Sequence, residues 1–333
     1  MASFAESQGR FAVIRRRSVL AAASLPIAAR AQPAGWPNRP VRLLVPFPPG
    51  GTSDVVGRLL GAHYQAVFGQ PFTVENRAGA GGVVGSSELA RAAPDGYTIG
   101  IGTISSHAIN PVFLPNVPYD NIRGFEHVSL LVSLPNVLVV HPARVPASDL
   151  AGFIAFARAN PGRIDYGSAG IGTSQHLSGE LFALLAGVEM VHVPYRGGGP
   201  MAADLLSGKI ACSFENATLA IQYVQQGAVK ALGVTSPDPW PLISGVPPIS
   251  SALPGYSVLS WQALFTPAGV DRGIVQALWR EAKVALEKPD VRATLERTGT
   301  LAVAMPPDEF ARFVVQETER WRDVIRRANI RPE

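Results

Sequence analysis

Short apolar runs that give way to a glycine-rich loop and then to helical periodicity recur along this chain of 333 residues. A unit of that kind has few solutions. The run is a buried strand, and the helix after it returns the chain so that the next strand lies parallel. The first instance is the most sharply drawn. Residues 41–45 are mostly apolar; Val55, Val56, Leu59, Leu60 and Val67 then fall at helical spacing, and Gly69 offers a stop. Between run and helix stands Phe47-Pro48-Pro49-Gly50-Gly51-Thr52-Ser53-Asp54. Pro48 and Pro49 withdraw two backbone donors and fix φ, so neither ladder nor helix continues through them. Gly50 and Gly51 allow positive φ and let a ligand approach the backbone with no Cβ in the way. Thr52 and Ser53 are placed to cap the helix, whose first N–H groups point back at the loop. Free N–H groups at the positive end of a helix dipole form an anion site.

The plan repeats. Residues 72–75 read as a strand before the loop Asn76-Arg77-Ala78-Gly79-Ala80-Gly81-Gly82, and a helix is expected over 83–92. The strand at 97–101 ends in another small-residue loop, Gly102-Thr103-Ile104-Ser105-Ser106-His107. Residues 136–141 form a strand that Pro142 ends, and there the chain is expected to cross into a second lobe. Ser148 is placed to cap a helix through Ala159, and 164–167 is a strand leading into Ser168-Ala169-Gly170-Ile171-Gly172-Thr173. A third loop, Tyr195-Arg196-Gly197-Gly198-Gly199-Pro200, opens another helix. Residues 261–265 look like the return crossing. The last helix carries a core stripe of Phe310, Phe313, Val314, Trp321, Val324 and Ile325. The length suffices for two α/β lobes. Their expected extents are 37–136 plus 259–333 for the first and 137–258 for the second. Strand ends from both lobes then face one cleft, where ligands of open α/β sheets bind.

The formal charge of +4 misleads. Of 29 basic and 25 acidic residues, five arginines and one glutamate lie in the first 31 positions, so the remainder is balanced and gives no reason to expect nucleic acid. Those positions read as a leader: Arg15-Arg16-Arg17, an apolar run over 19–29, and the cleavage pattern Ala29-Arg30-Ala31. Arg16-Arg17-Ser18-Val19-Leu20 has the twin-arginine look of a folded-protein export signal. The apolar run is far short of the roughly 20 residues that span a bilayer. Residues 1–31 are therefore expected to be an export signal cleaved near Ala31, with the remainder periplasmic. Cys212, the only cysteine, leaves no intramolecular disulfide to form and reads as a buried small hydrophobe.

No Gly-Lys-Ser or Gly-Lys-Thr phosphate loop is present, and the six histidines are scattered without metal-ligand spacing. No metal or cofactor is expected. Gly172-Thr173-Ser174-Gln175-His176 resembles a nucleophile elbow with histidine in place of the closing glycine. That histidine cannot easily serve a serine two positions before it, so an exported serine hydrolase using Ser174 is the second reading. The first is non-covalent anion capture. Its candidate residues are Phe47, Pro49, Gly51, Thr52, Ser53 and Asp54 in the first loop, Ser105 in the loop after residue 101, Ser168, Ala169, Gly170 and Thr173 in the second lobe, and Tyr195 beside the third glycine loop. Several have a plainer role open to them. Thr52, Ser53, Ser168 and Thr173 could serve only as caps, Asp54 only as a first-turn acid, and Phe47 only to close the loop. Arg196 is as readily a solvated rim charge as a contact.

Several blocks together are similar to one family. Residues 40–54, Glu75-Asn76-Arg77-Ala78-Gly79-Ala80-Gly81-Gly82, Pro94-Asp95-Gly96-Tyr97, Val193-Pro194-Tyr195-Arg196-Gly197 and residues 261–268 resemble, in order, the Bug family of extracytoplasmic receptors of tripartite tricarboxylate transporters. The resemblance implies a two-lobed periplasmic-binding-protein (type II) fold with two crossover strands, closing over a small carboxylate. It further implies delivery of that ligand to the membrane components of a transporter, and no catalytic activity. One ligand carboxylate would be held at the loop matching Pro48 to Asp54 by backbone N–H groups and ordered water, and the loop matching Ser168 to Thr173 would hold the rest. Amino acids, dicarboxylates, tricarboxylates and aromatic acids all remain open as ligands, a monomer is expected, and a receptor that signals to a periplasmic sensor is a further alternative.

Overall fold

A computed structural model describes residues 35–332; the leader expected over residues 1–31 lies outside them. The first part of the chain forms β1 (Val41–Val45), α1 (Thr52–Phe68), β2 (Phe72–Asn76), α2 (Val83–Ala90), β3 (Thr98–Thr103), a π-turn over Ser105–Ile109, and α3 (Asn110–Phe113). A 16-residue strand follows, β4 (Phe125–Val140). Then come α4 (Leu150–Ala159), β5 (Ile164–Ser168), α5 (Ser174–Ala186), β6 (Met190–Pro194), α6 (Gly198–Leu206), β7 (Cys212–Asn216), α7 (Ala217–Gln225) and β8 (Lys230–Val234). The chain ends in β9 (Leu259–Pro267), α8 (Arg272–Glu287), α9 (Pro289–Glu296), β10 (Leu301–Ala302) and α10 (Pro307–Ala328).

The strand–loop–helix units do what their pattern demands. β1 pairs in parallel with β2 and β3, and β5 pairs in parallel with β6 and β7. β4 is what joins the two sets. At about 3.3 Å per residue it is roughly 50 Å long, enough to serve two sheets. From Phe125 to Pro135 it pairs with β9, and from Asn136 to Val140 with β7 and β8. The handover falls at Pro135, which has no N–H to give a ladder. The strand therefore begins eleven residues before the expected start at Asn136. Every pair made by β4 or β9 is antiparallel, so the sheet is mixed rather than wholly parallel. Helical crossovers impose parallel pairing within each βαβ unit, and strands that pass from one lobe to the other are free of that constraint.

Packing follows the periodicities. Val56, Leu60 and Tyr64 of α1 are buried against Val41, Leu43 and Val45. The helix comes close because Gly57 has no side chain: a Cβ there would stand 2.9 Å from Val45 Cγ2. Gly69 ends α1 in the left-handed conformation, as its position predicts. The stripe on α10 is core, with Phe310, Val314 and Trp321 fully buried. Helix α4 departs from expectation in its cap: Asp149, not Ser148, accepts the Gly152 N–H, the carboxylate being one residue closer to the helix. Cys212 is buried, and burial pushes its thiol well above the ordinary range.

Candidate functional site

The first loop leaves β1 and turns at Gly50, whose φ of +90° is one that side-chain-bearing residues rarely adopt. Gly51 has an ordinary φ of −83° and serves as N-cap of α1 without any side-chain capping bond. Asp54 braces the turn from behind. Its Oδ2 accepts from Gly50 N at 3.1 Å and Arg58 Nε at 2.9 Å, and its Oδ1 accepts from Asn76 Nδ2 at 3.0 Å. Asn76 Nδ2 also reaches the Phe47 carbonyl at 2.9 Å. Burial raises the Asp54 pKa, but the bonds from Arg58, Gly50 and Asn76 outweigh it and hold the carboxyl below its usual value.

Thr52 and Ser53 do not cap the helix. Thr52 Oγ1 pairs with Thr218 Oγ1 at 2.9 Å, and Ser53 Oγ donates to Gln262 Oε1 at 2.6 Å. As the first N–H groups of the helix, those of Gly51, Thr52 and Ser53 have no acceptor among the described residues. Three adjacent unpaired donors at the N-terminus of a 17-residue helix form a site of positive potential with no charged side chain in it.

The second loop spends its donors internally. Ala169 N–H donates to Gln175 Oε1 at 2.6 Å, Gly170 N–H to Ser168 Oγ at 3.2 Å, and Gly172 N–H to His176 Nδ1 at 3.2 Å. Thr173 caps α5 by accepting from His176 N, and its hydroxyl donates to the Gly170 carbonyl at 2.7 Å. Ser174 N–H donates to Ser105 Oγ at 3.1 Å, joining the second loop to the first lobe.

The two loops enclose a cavity of about 230 Å³. Of the sequence-derived residues, Phe47, Pro49, Gly51, Thr52 and Ser53 line it from one side, and Ser105, Ala169 and Thr173 also line it. Asp54 and Ser168 stand outside the lining. Gly170 and Tyr195, with Arg196, line an adjoining cavity of about 670 Å³ that shares Phe47, Pro48 and Ala169 with the first. Tyr195 donates to Asp204 Oδ2 at 2.7 Å. Among the described residues no lysine or arginine lines the smaller cavity. No three His, Cys, Asp or Glu side chains among them gather to hold a metal ion.

Sequence reasoning missed Thr103, Gln175, Glu215, Asn216, Ser260 and Gln262, all of which line the smaller cavity. Thr103 and Asn216 end β3 and β7, and the tendency of ligands to sit at carboxyl ends of strands was the available signal. Glu215 is 1% exposed. Its Oε1 accepts from Gln175 Nε2 at 2.6 Å and Asn216 N at 2.7 Å. Burial pushes its carboxyl up to about 7, against the lowering effect of those two bonds.

The nucleophile-elbow pattern does not assemble into a triad. Ser174 Oγ accepts from Asn136 Nδ2 at 3.3 Å and makes no bond to a histidine among the described residues. Burial, with His192 beside it, lowers His176 to about 3.

The model for "Tripartite tricarboxylate transporter family receptor" matches residues 56–330. Protein BugT of Bordetella pertussis is 34% identical over 302 residues, 90% of this chain and 92% of that protein. Among solved structures, that of R. palustris Rpa4515 with adipate superimposes with a TM-score of 0.86 at 34% identity, over 90% of this chain and 100% of that one. MatC from Rhodopseudomonas palustris with bound malate gives 0.82 at 32% identity, over 87% and 100%. No helix among the described residues is long and apolar enough to cross a membrane.

Proposed function

The chain belongs to the receptor family of the tripartite tricarboxylate transporters, the Bug family its motifs resemble, and from that membership we propose that it captures one small carboxylate between its lobes and hands it to the membrane components of such a transporter. The row of N–H groups at Gly51, Thr52 and Ser53 carries the reading. A carboxylate presents two oxygens to such a row and accepts charge-assisted bonds from it. A phosphate or sulfate could use the same donors, but the family and its adipate- and malate-bound members favour a carboxylate. Dicarboxylates are the first class to try. Phe47 and Pro49 cover the carbon skeleton, and polar groups brought by Gln262 and Asn216 meet the distal end.

In this reading the lobes comprise residues 37–136 with 259–333, and 137–258, and they close as the ligand bridges them. The protein works as a periplasmic monomer after removal of its leader near Ala31, without cofactor and without catalysis. Thermal-shift and calorimetric screening across mono-, di- and tricarboxylates tests it. One saturable carboxylate ligand is expected at 1:1 stoichiometry. Binding of phosphates or sugars with no carboxylate bound would overturn it.

A further inference from the structure

Glu215 is out of place in a cavity that receives an anion. It lines the pocket, is 1% exposed, and has no lysine or arginine beside it in the lining. Two strong donors converge on Oε1, yet Oε2 makes no hydrogen bond among the described residues. A buried carboxyl oxygen without a partner is costly, so the site is incomplete until something meets it. An ionised Oε2 needs a donor; a protonated one needs an acceptor. A carboxylate ligand is an acceptor.

We infer that Glu215 takes up a proton from solvent when the ligand enters and donates it through Oε2 to a ligand carboxylate, so that the receptor binds its anion together with one proton. The inference rests on the carboxylate reading above. Two carboxylates brought together away from water disfavour the doubly charged state, and sharing a proton is the ordinary resolution. The neighbours agree. From α5 and β7 come the neutral Gln175 and Asn216, and from α7 comes Tyr223, whose hydroxyl burial and then the Glu215 charge push up to about 12. None of these competes for the proton. The free carboxyl, already at about 7, is poised to take it near neutrality.

The test uses the full mature chain and two probes: adipate, which has no hydroxyl or ammonium donor, and malate, which has a hydroxyl. Calorimetry in buffers of different ionisation enthalpy counts protons. In the wild type close to one proton is expected to be taken up at pH 8, with affinity falling towards tenfold per pH unit between 7.5 and 9. Glu215→Gln, whose amide cannot titrate, should remove the uptake and flatten the profile. A wild type that binds either probe with no proton uptake and a flat profile overturns the inference. So does affinity for malate that rises with pH, the mark of an ionised Glu215 accepting from the ligand. Failure of both proteins to bind any carboxylate overturns the receptor reading itself, and this inference with it.

Discussion

Thr52 Oγ1 and Thr218 Oγ1 lie 2.9 Å apart, joining the first turn of α1 to the first turn of α7. Both residues are buried, at 5% and 3% exposure. The same turn of α1 carries the free N–H groups of Gly51, Thr52 and Ser53.

Thr218→Val keeps the shape and deletes the bond. A net hydrogen bond is worth about 1 kcal/mol, so calorimetry should show carboxylate affinity reduced roughly fivefold. An unchanged affinity would mean that the pair contributes nothing to closure.

At Gly51 a Cβ would meet no atom within 4 Å, and φ suits any residue. Gly51→Val should therefore fold with a melting temperature close to that of the parent, yet its side chain is expected to crowd a ligand approaching the free N–H groups. Loss of a bond to a charged group costs about 1.5–3 kcal/mol, so affinity should drop at least tenfold. Arg196→Ala, at the rim of the adjoining cavity, should cost less than about 1 kcal/mol. Equal losses at the two positions would make Arg196 the anchor.

How far the sequence revealed the site differs between the two loops. The first was legible because strand, prolines, glycines and helix start are contiguous, and local rules apply to contiguous residues. What Thr52 and Ser53 do was not legible, since their partners Thr218 and Gln262 lie more than 160 positions away. For the second loop, position was legible and chemistry was not: Gln175 fills the Ala169 donor from six residues on. Glu215 escaped notice as the continuation of an apolar strand, because nothing local distinguishes a buried acid facing a cavity from one at a surface turn. The fold suffered less. Helical and strand periods located the βαβ units, but both strands that cross between the lobes were truncated: β9 runs two residues beyond each end of the expected 261–265, and the part of β4 before Asn136 carries Glu126, His127, Ser129 and Ser133 among its apolar residues.

Asp54 accepts from Gly50, Arg58 and Asn76, and its carboxyl is held below its usual value. A depressed acid contributes fully above its unfolded pKa, near 3.8, and loses that contribution as pH falls through the folded value. Asp54→Asn should lower stability at pH 7 by about 2 kcal/mol, one charge-assisted bond. Urea melts at pH 7 and pH 3 should show the difference shrinking at the lower pH. A constant difference would contradict the assignment.

His176 and His192 stack with ring centroids 4.0 Å apart, and burial lowers them to about 3 and about 4. Unfolded histidine takes its proton near 6.5, so the pair's contribution to stability should be lost as pH drops from there towards 4. Each histidine adds a slope of about 1.4 kcal/mol per pH unit. His192→Gln, which can keep a bond to Ser168 Oγ, should remove about half of that slope. A variant whose stability follows the same pH slope as the parent would contradict the assignment.

The most direct measurement is a crystal structure of the protein with its carboxylate bound. A carboxylate oxygen is expected about 2.7–3.1 Å from at least two of the nitrogens of Gly51, Thr52 and Ser53. A ligand carboxylate paired with Arg196 in the adjoining cavity, with those three N–H groups still without an acceptor, would contradict it.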